Sequence, residues 1–321
     1  VRSVFRPILD KGIVTTLGDV AQRSDFARGG YLLTGEGIKI GVISDSYDLA
    51  NTAGSASVDI TNGDLPSSVE ELPGFTKFPN PTDEGRAMLQ IIHDIAPDAT
   101  LAFKSGFESA GAFAQAIDDL AAANCDIIVD DITYVTEPFF TDGLVAQAAN
   151  RVNEAGVTYV SAAGNYGDNA YGGVFNEAPI PFNNIPGVAH DFGGGDVLQS
   201  ISLKPGNYTI ALHWDDDYYS IGETANGGAQ VDLDFYLIDD DGTIRYDRNF
   251  NNEGKDPVEI SDFRVEGVEG STTNTNIMIV NRNGNQAIRF KYIFFRGGND
   301  VVFNEYQEEI STIVGQANAE G

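Results

Sequence analysis

The sequence predicts an α/β fold, a parallel sheet with helices on both faces, interrupted by an inserted all-β sandwich. In residues 37–190, short apolar runs alternate with helical patterns, an order typical of parallel sheets. In residues 191–300, short alternating runs are separated by turn residues without any helical period, which indicates a two-sheet sandwich. Residues 1–36 then form an N-terminal extension, and residues 301–321 return to the α/β domain with a helix-like segment at 304–315.

The α/β region contains four β-rich apolar runs and three long helical patterns. The predicted strands cover residues 38–44, 100–103, 126–129 and 157–160, and the predicted helices cover residues 83–95, 110–123 and 142–155. A short helix is predicted at 19–27. Residues 50–82 are predicted to be a long surface loop with a small hairpin around Asn62-Gly63. The predicted sandwich strands cover residues 198–203, 208–214, 231–238, 258–263, 277–280 and 288–295.

Composition restricts the function classes. The chain has 321 residues and a formal net charge of −29, which disfavours binding to nucleic acid or to an anionic membrane surface. No apolar run is long enough to span a bilayer. The single cysteine, Cys125, excludes an internal disulfide and is expected to be a core thiol. Loops rich in Asn, Gly and Tyr favour an exported bacterial protein, secreted or at the cell surface, whose leader has been removed.

Acidic and amide side chains mark one edge of the predicted sheet. Asp45, Asp131 and Asn165 each come shortly after a predicted strand. Glu84 lies at the start of the helix 83–95, whose predicted apolar face consists of Met88, Ile91, Ile92 and Ile95. Because the carboxyl ends of parallel strands meet at one edge, we expect these polar groups to converge there. Two simpler interpretations remain open, a turn-forming Asp45 and a Glu84 that only favours the helix dipole.

These segments resemble the subtilisin superfamily of serine peptidases. The run Gly37–Ile43 before Asp45 is similar to the strand that delivers the aspartate of the catalytic triad. The run Ser161–Asn165, Ser-Ala-Ala-Gly-Asn, resembles the segment that supplies the oxyanion-hole asparagine. Glu84 replaces the histidine that begins the following helix in subtilisins, and that helix leads into Ala-Pro-Asp-Ala. A glutamate at this place is similar to the sedolisins, the serine-carboxyl peptidases.

The resemblance implies a secreted endopeptidase that cleaves protein or peptide substrates by an acyl-enzyme route and requires no cofactor. It implies Glu84 as the base, Asp45 as its partner, Asn165 as the oxyanion donor and Asp131 near the substrate cleft. One departure is Met88, which stands where sedolisins carry a second aspartate, four residues after the glutamate. A second departure is Asn165, because sedolisins place an aspartate in the oxyanion hole.

The nucleophile motif of the superfamily, Gly-Thr-Ser at the start of a late helix, does not occur in the sequence. Ser271 lies in the predicted sandwich, and Ser311 matches the motif poorly. We therefore expect an incomplete catalytic domain that is inactive alone, whose serine lies on a missing C-terminal part of the same protein. That missing part would be a partner of this chain.

The predicted sandwich resembles the jelly-roll modules of the pre-peptidase C-terminal type. Asp232, Asp234 and Asp239 offer hard oxygen ligands that suit a structural calcium ion. An acidic turn and a solvated strand face explain the same residues without a metal. Two alternative functions stay open. One is a non-catalytic binding protein that kept the fold, and the other is a calcium- or carbohydrate-binding sandwich, suggested by the aromatic residues Trp214, Tyr218 and Tyr219.

Overall fold

The structure, a computed structural model, describes residues 8–9, 18–50, 54–77, 80–223, 227–284, 287–307 and 310–319. Contacts divide the chain into two compact units. The first, which we call the α/β unit, comprises Val1–Glu137, Asp142–Gly164 and Val314–Gly321. The second, the β unit, comprises Pro138–Thr141 and Asn165–Ile313.

The α/β unit contains all the α-helices of the described part of the chain. They are α1 Gly18–Gln22, α2 Ser24–Tyr31, α3 Ala56–Asn62, α4 Glu84–Ile95, α5 Ala110–Ala122 and α6 Leu144–Glu154. Its strands are β1 Ile8–Leu9, β2 Lys39–Ser44, β3 Val69–Glu71, β4 Thr100–Ser105, β5 Ile127–Asp130, β6 Ile132–Thr133 and β7 Thr158–Ser161. None of the described helices combines the length and the apolar character that a membrane crossing requires.

A parallel five-stranded sheet with the order β3-β4-β2-β5-β7 forms the centre of this unit. Consecutive residues of β2 point to opposite faces, as the strand period of two requires. Val42 packs with Leu89 of α4 on one face, and Ile43 packs with Phe113 of α5 on the other. The predicted α/β class, with helices on both faces, is therefore confirmed.

The observed buried face of α4 agrees only in part with the predicted one. Met88 and Ile92 are partly buried against the core, but Leu89 is the fully buried residue and Ile91 is 41% exposed. The reason lies at Gly85, where a Cβ atom would come within 2.3 Å of the Phe103 ring and 2.8 Å of the Ser46 carbonyl oxygen. The helix turns its Gly85–Leu89 side toward the sheet because only glycine permits this close approach.

Two local predictions near the N-terminus were wrong in detail. The predicted loop at 50–82 contains α3 and β3, and Gly63 ends α3 in a left-handed conformation with φ of +85° rather than forming a hairpin. A glycine just past a helix end commonly adopts this conformation. The predicted helix at 19–27 is divided into α1 and α2, because Arg23 adopts a φ of 61° between them.

The β unit consists of antiparallel strands and short 3₁₀ turns. Its strands are β8 Ala170–Val174, β9 Glu177–Ala178, β10 Val188–His190, β11 Gln199–Leu203, β12 Gly206–Trp214, β13 Leu233–Ile238, β14 Ile244–Arg248, β15 Val258–Val265, β16 Thr273–Asn281, β17 Arg289–Arg296 and β18 Val301–Phe303. One sheet has the order β15-β12-β17-β8, and the other has β14-β13-β16-β10-β9, with β11 paired to β16 and β18 paired to β11.

The two antiparallel sheets share one apolar core. Leu212 and Tyr292 from the first sheet pack in the same buried cluster as Phe235 and Ile279 from the second. The two sheets form a sandwich, as predicted. Its resemblance to jelly-roll modules stays a prediction. The long segment of the β unit begins at Asn165, whereas the composition change suggested 191, because β8, β9 and β10 pair within these sheets.

The predicted helix at 304–315 was wrong for the described residues of that span. They are irregular, and only a 3₁₀ turn at Gly315–Asn318 follows them. Tyr306 adopts a left-handed φ of 53°, and Val314 is extended with ψ of 170°. Either conformation interrupts an α-helix, so the apolar pattern of this segment reflects packing rather than helix formation.

Candidate functional site

Asp45 lies directly after β2 and is 2% exposed. One carboxylate oxygen accepts hydrogen bonds from the backbone N–H groups of Ser46 at 2.6 Å and Glu84 at 3.1 Å. The other oxygen accepts from the Thr82 backbone N–H at 2.6 Å and from the Thr82 hydroxyl at 2.8 Å. Asp45 therefore connects the end of β2 to the start of α4, where unsatisfied N–H groups favour a negative charge.

Glu84 is the first residue of α4 and is partly buried. Its carboxylate oxygen Oε2 lies 3.5 Å from the Ser44 hydroxyl. Asp45 holds Glu84 through the backbone N–H of Glu84. The structure thus brings the two predicted residues to the same edge of the sheet, next to the carboxyl end of β2.

Two neighbours that sequence reasoning missed complete this region. Asp83 is 3% exposed and adopts a left-handed conformation with φ of 54° immediately before α4. Arg86, also 3% exposed, lies 3.2 Å from the Asp83 carboxylate through its Nη2 atom. An acid and an arginine three residues apart lie close together on a helix, so the spacing of Asp83 and Arg86 could have predicted this ion pair.

A shallow depression opens beside Asp45. Its volume is about 240 Å³, including its open mouth, and its wall contains Tyr47, Glu71, Phe75 and Phe103. Burial raises the pKa of Glu71, and the negative charge of Asp48 adds to this effect. The depression offers aromatic and acidic contacts at the carboxyl ends of β2, β3 and β4.

Asp131 lies between β5 and β6 and is half-buried. Its neighbour Asp130, 1% exposed, carries the more extensive hydrogen-bond network. Asp130 accepts hydrogen bonds from the Tyr159 hydroxyl at 2.5 Å, the Ser161 hydroxyl at 3.1 Å and the Gln316 side-chain amide at 3.0 Å. Burial raises the pKa of Asp130 to about 6. The network attaches the C-terminal segment to the edge of the parallel sheet.

Asn165 is exposed and lies four residues after the end of β7. It begins the long segment of the β unit, whereas Asp45, Glu84 and Asp131 belong to the α/β unit. Its role as an oxyanion donor stays a prediction.

The three predicted calcium ligands have protein partners. Asp232 accepts a hydrogen bond from the Asn252 backbone N–H at 3.0 Å, and Asp234 lies 3.4 Å from Nε of Arg282. Asp239 forms an ion pair of 2.5 Å with Arg245 across the β13–β14 hairpin. In the part of the chain that the structure describes, no group of three or more His, Cys, Asp or Glu side chains is arranged to hold a metal ion. The calcium site stays a prediction.

The β unit also contains a set of electrostatically coupled buried carboxylates, Asp232, Asp234 and Glu259, which we call the β-unit acid cluster. Burial, together with the charge of Asp232, raises the pKa of Asp234 to about 7. Burial and the charges of the two aspartates raise the pKa of Glu259 to about 8. Burial also raises the pKa of Asp232. Asp234 and Glu259 therefore retain protons at a pH where exposed carboxylates are ionised.

The aromatic residues that suggested carbohydrate binding are mostly in the core. Trp214 is 0% exposed and Tyr218 is 1% exposed, so neither offers a face to a sugar. Tyr219 is 59% exposed. Cys125 is 2% exposed, as predicted for a core thiol, and burial raises its pKa to about 11.

Comparison with known proteins identifies no family. No protein-family model and no curated protein matches the sequence. Among solved structures, the Clostridium perfringens CspB protease is 13% identical with a TM-score of 0.47, over 94% of this chain and 71% of that one. A lanthipeptide protease (19% identity, TM-score 0.33) matches 50% of each chain. The prenylagaramide maturation protease PagA (18% identity, TM-score 0.29) matches 40% of this chain and 46% of its own. Likenesses at this level define neither a family nor an activity.

Proposed function

We propose that this chain supplies the carboxylate base and the sheet framework of a serine-carboxyl type endopeptidase. The observation that carries the proposal is the position of Glu84, the first residue of α4, which Asp45 holds at the carboxyl end of β2. A ligand crevice is expected at this edge of a parallel sheet. The order of the sequence segments, strand with Asp45, helix with Glu84 and strand before Asn165, also resembles that peptidase superfamily.

In the proposed reaction, Glu84 takes the proton of a serine hydroxyl, which is too weak a nucleophile without a base. Asp45 keeps the start of α4 in place through the backbone bonds to Thr82 and Glu84. The resemblance to the serine-carboxyl peptidases assigns the contact with the developing oxyanion to the Asn165 side-chain amide. The proposal also requires a nucleophilic serine, and the sequence contains no Gly-Thr-Ser motif that would supply it.

A binding protein without catalysis is the second candidate function. It is favoured by the side chain of Asp45, whose two oxygens already accept four hydrogen bonds from Ser46, Thr82 and Glu84. A carboxylate satisfied in this way can serve the fold alone. The same geometry therefore fits a protein that kept the sheet and lost the reaction.

The test is cleavage of denatured casein by the full-length gene product from pH 3 to pH 8. We expect wild type to be active and Glu84→Gln to lose at least about 10²-fold in kcat/KM, because proton transfer is removed. Glu70→Gln is the matched control, since Glu70 lies on β3 and pairs with Lys39 at the surface. If Glu84→Gln remained as active as Glu70→Gln, the proposed base would be wrong. If wild type cleaved at no pH, the binding function would be favoured.

A further inference from the structure

Arg86, which is almost completely buried, lies at the centre of a group of charges that we call the Arg86 cluster. Its Nη1 atom lies 3.1 Å from Asp48, its Nε atom 3.4 Å from Asp59, and its Nη2 atom 3.2 Å from Asp83. The side chains of Arg86 and Asp83 are 3% and 1% exposed. A guanidinium presents several donors in a rigid plane, so one residue can address three carboxylates from different segments.

Each carboxylate of the cluster is bound to a different part of the α/β unit. Asp48 follows β2 and accepts a hydrogen bond from the Ala56 backbone N–H at 2.9 Å, at the start of α3. Asp59 belongs to α3 itself. The group around Arg86 therefore joins the segment after β2, helix α3 and the first turn of α4.

Asp83 makes the connection to the proposed site. Its Oδ1 atom accepts hydrogen bonds from the Ser46 hydroxyl at 2.9 Å and from the backbone N–H groups of Leu49 at 2.8 Å and Ala50 at 3.0 Å. Its other oxygen, Oδ2, lies against Arg86. The carboxylate thus spans the segment after β2 on one side and the guanidinium on the other.

The backbone at Asp83 adopts an uncommon conformation. Its φ of 54° and ψ of 34° belong to the left-handed region, which few non-glycine residues occupy, although aspartate does so more readily than most. Asp83 lies between Thr82, whose N–H Asp45 binds, and Glu84, the proposed base. A change of this one backbone conformation would redirect the Glu84 side chain relative to the end of β2.

We infer that Arg86 is a positioning residue for Glu84, holding the left-handed turn at Asp83 through the three carboxylates of its cluster. The inference rests on the proposed function, since it assigns Arg86 a role in that reaction. Arg86 acts through Asp83 and is not itself a catalytic residue. The orientation of the Glu84 side chain therefore depends on the ion pairs of the Arg86 cluster.

The test compares Arg86→Lys with wild type in the full-length protein. Lysine keeps the charge but has one compact donor group that cannot serve three separate carboxylates. We expect kcat to fall at least about tenfold while KM stays within about twofold, because misplacing a reacting group costs rate rather than binding. The matched control is Arg151→Lys, whose ion pair with Asp118 is exposed and should leave kcat unchanged.

Amide hydrogen exchange supplies a readout that does not depend on activity. In Arg86→Lys we expect faster exchange at Leu49, Ala50, Thr82 and Glu84, whose N–H groups bind Asp83 or Asp45. Exchange at Val42, inside β2, should stay at the wild-type rate. Faster exchange of Val42 by the same factor would show a general loss of stability and overturn the positioning role. Unchanged exchange at all five amides would overturn it as well.

The two proposals can fail separately. If wild type cleaves nothing, the proposed function fails, and the exchange pattern alone decides whether Arg86 holds the turn. If wild type and Arg86→Lys cleave with equal kcat, the proposed function stands and the positioning role is wrong. If Arg86→Lys does not fold, Asp48→Asn replaces it, because the Asp48 side chain is 41% exposed and its loss is milder. Asp48→Asn should then show a smaller change in the same amides, and no change would overturn the inference.

Discussion

The Arg86 cluster and the β-unit acid cluster collect carboxylates in different ways. In the α/β unit, Asp48, Asp59 and Asp83 surround one guanidinium that is almost completely buried. In the β unit, Asp234 lies beside Arg282, whose side chain is 32% exposed. Asp232 raises the pKa of Asp234, and both aspartates raise the pKa of Glu259.

The difference shows two solutions to the cost of removing a carboxylate from water. A buried cation can compensate the charge directly, provided that hydrogen bonds satisfy the remaining oxygen atoms. Without such a cation, the carboxylate retains its proton, which is why the pKa values of Asp234 and Glu259 are raised to about 7 and about 8. Compensation by a buried cation fixes the positions of the charged side chains. Retention of a proton makes the stability of the folded unit depend on pH.

The largest effect is expected from Arg86→Met, which removes the cation and leaves the carboxylates of the Arg86 cluster uncompensated. Breaking a buried ion pair on one side costs about 3–5 kcal/mol in free energy of unfolding. Helical circular dichroism during urea unfolding measures this loss, because the described helices all belong to the α/β unit. The control Arg151→Met breaks an exposed pair and should cost less than about 1 kcal/mol. If both variants lost the same free energy of unfolding, the burial of Arg86 would not explain its contribution to stability.

A second effect is expected when pH is changed for the β unit. The folded unit retains protons on Asp234 and Glu259 that the unfolded chain releases above about pH 4. Their contribution to stability is therefore complete below about pH 4 and is lost as pH rises through the folded pKa values of about 7 and about 8. Fluorescence of Trp214, the single tryptophan, follows this unit during unfolding.

The matched variant for this pH dependence is the double change Asp234→Asn and Glu259→Gln. It should flatten the dependence between pH 4 and pH 8, because the groups that bind the protons are gone. Glu266→Gln, at an exposed pair with Arg264, should keep the wild-type slope. A stability that rises with pH in wild type would show that the acid cluster is not protonated in the folded unit.

The smallest effect is expected from calcium. Asp234 lies inside β13 and Asp239 directly follows that strand. At about 3.3 Å per residue the two are roughly 16 Å apart, so one calcium ion cannot contact both. We therefore expect 5 mM calcium to stabilise the β unit by no more than about 1 kcal/mol, the gain from a millimolar site. Trp214-monitored unfolding with calcium and with EDTA measures it. A larger gain that Asp232→Asn abolishes would indicate a tighter site than the spacing of these residues suggests.

Much of the α/β unit could be predicted from local patterns. The apolar run before Asp45 forms β2, and the helical pattern that begins at Glu84 forms α4. Strand and helix periods act over a few residues, so the sequence displays them directly. The buried face of α4 could be predicted only in part in this way, because the contact of Gly85 with Phe103 involves another strand.

The sequence by itself determined the order β2, α4, β4, α5, β5, α6 and β7, the sandwich character of the later region, and the location of Asp45 and Glu84 at element ends. Only the tertiary structure showed which groups those residues meet. Arg86 contacts acids from three segments, and Gln316 reaches Asp130 from a distant part of the chain. Such partners depend on how the elements pack, and residues that meet in this way leave no periodic pattern in the sequence.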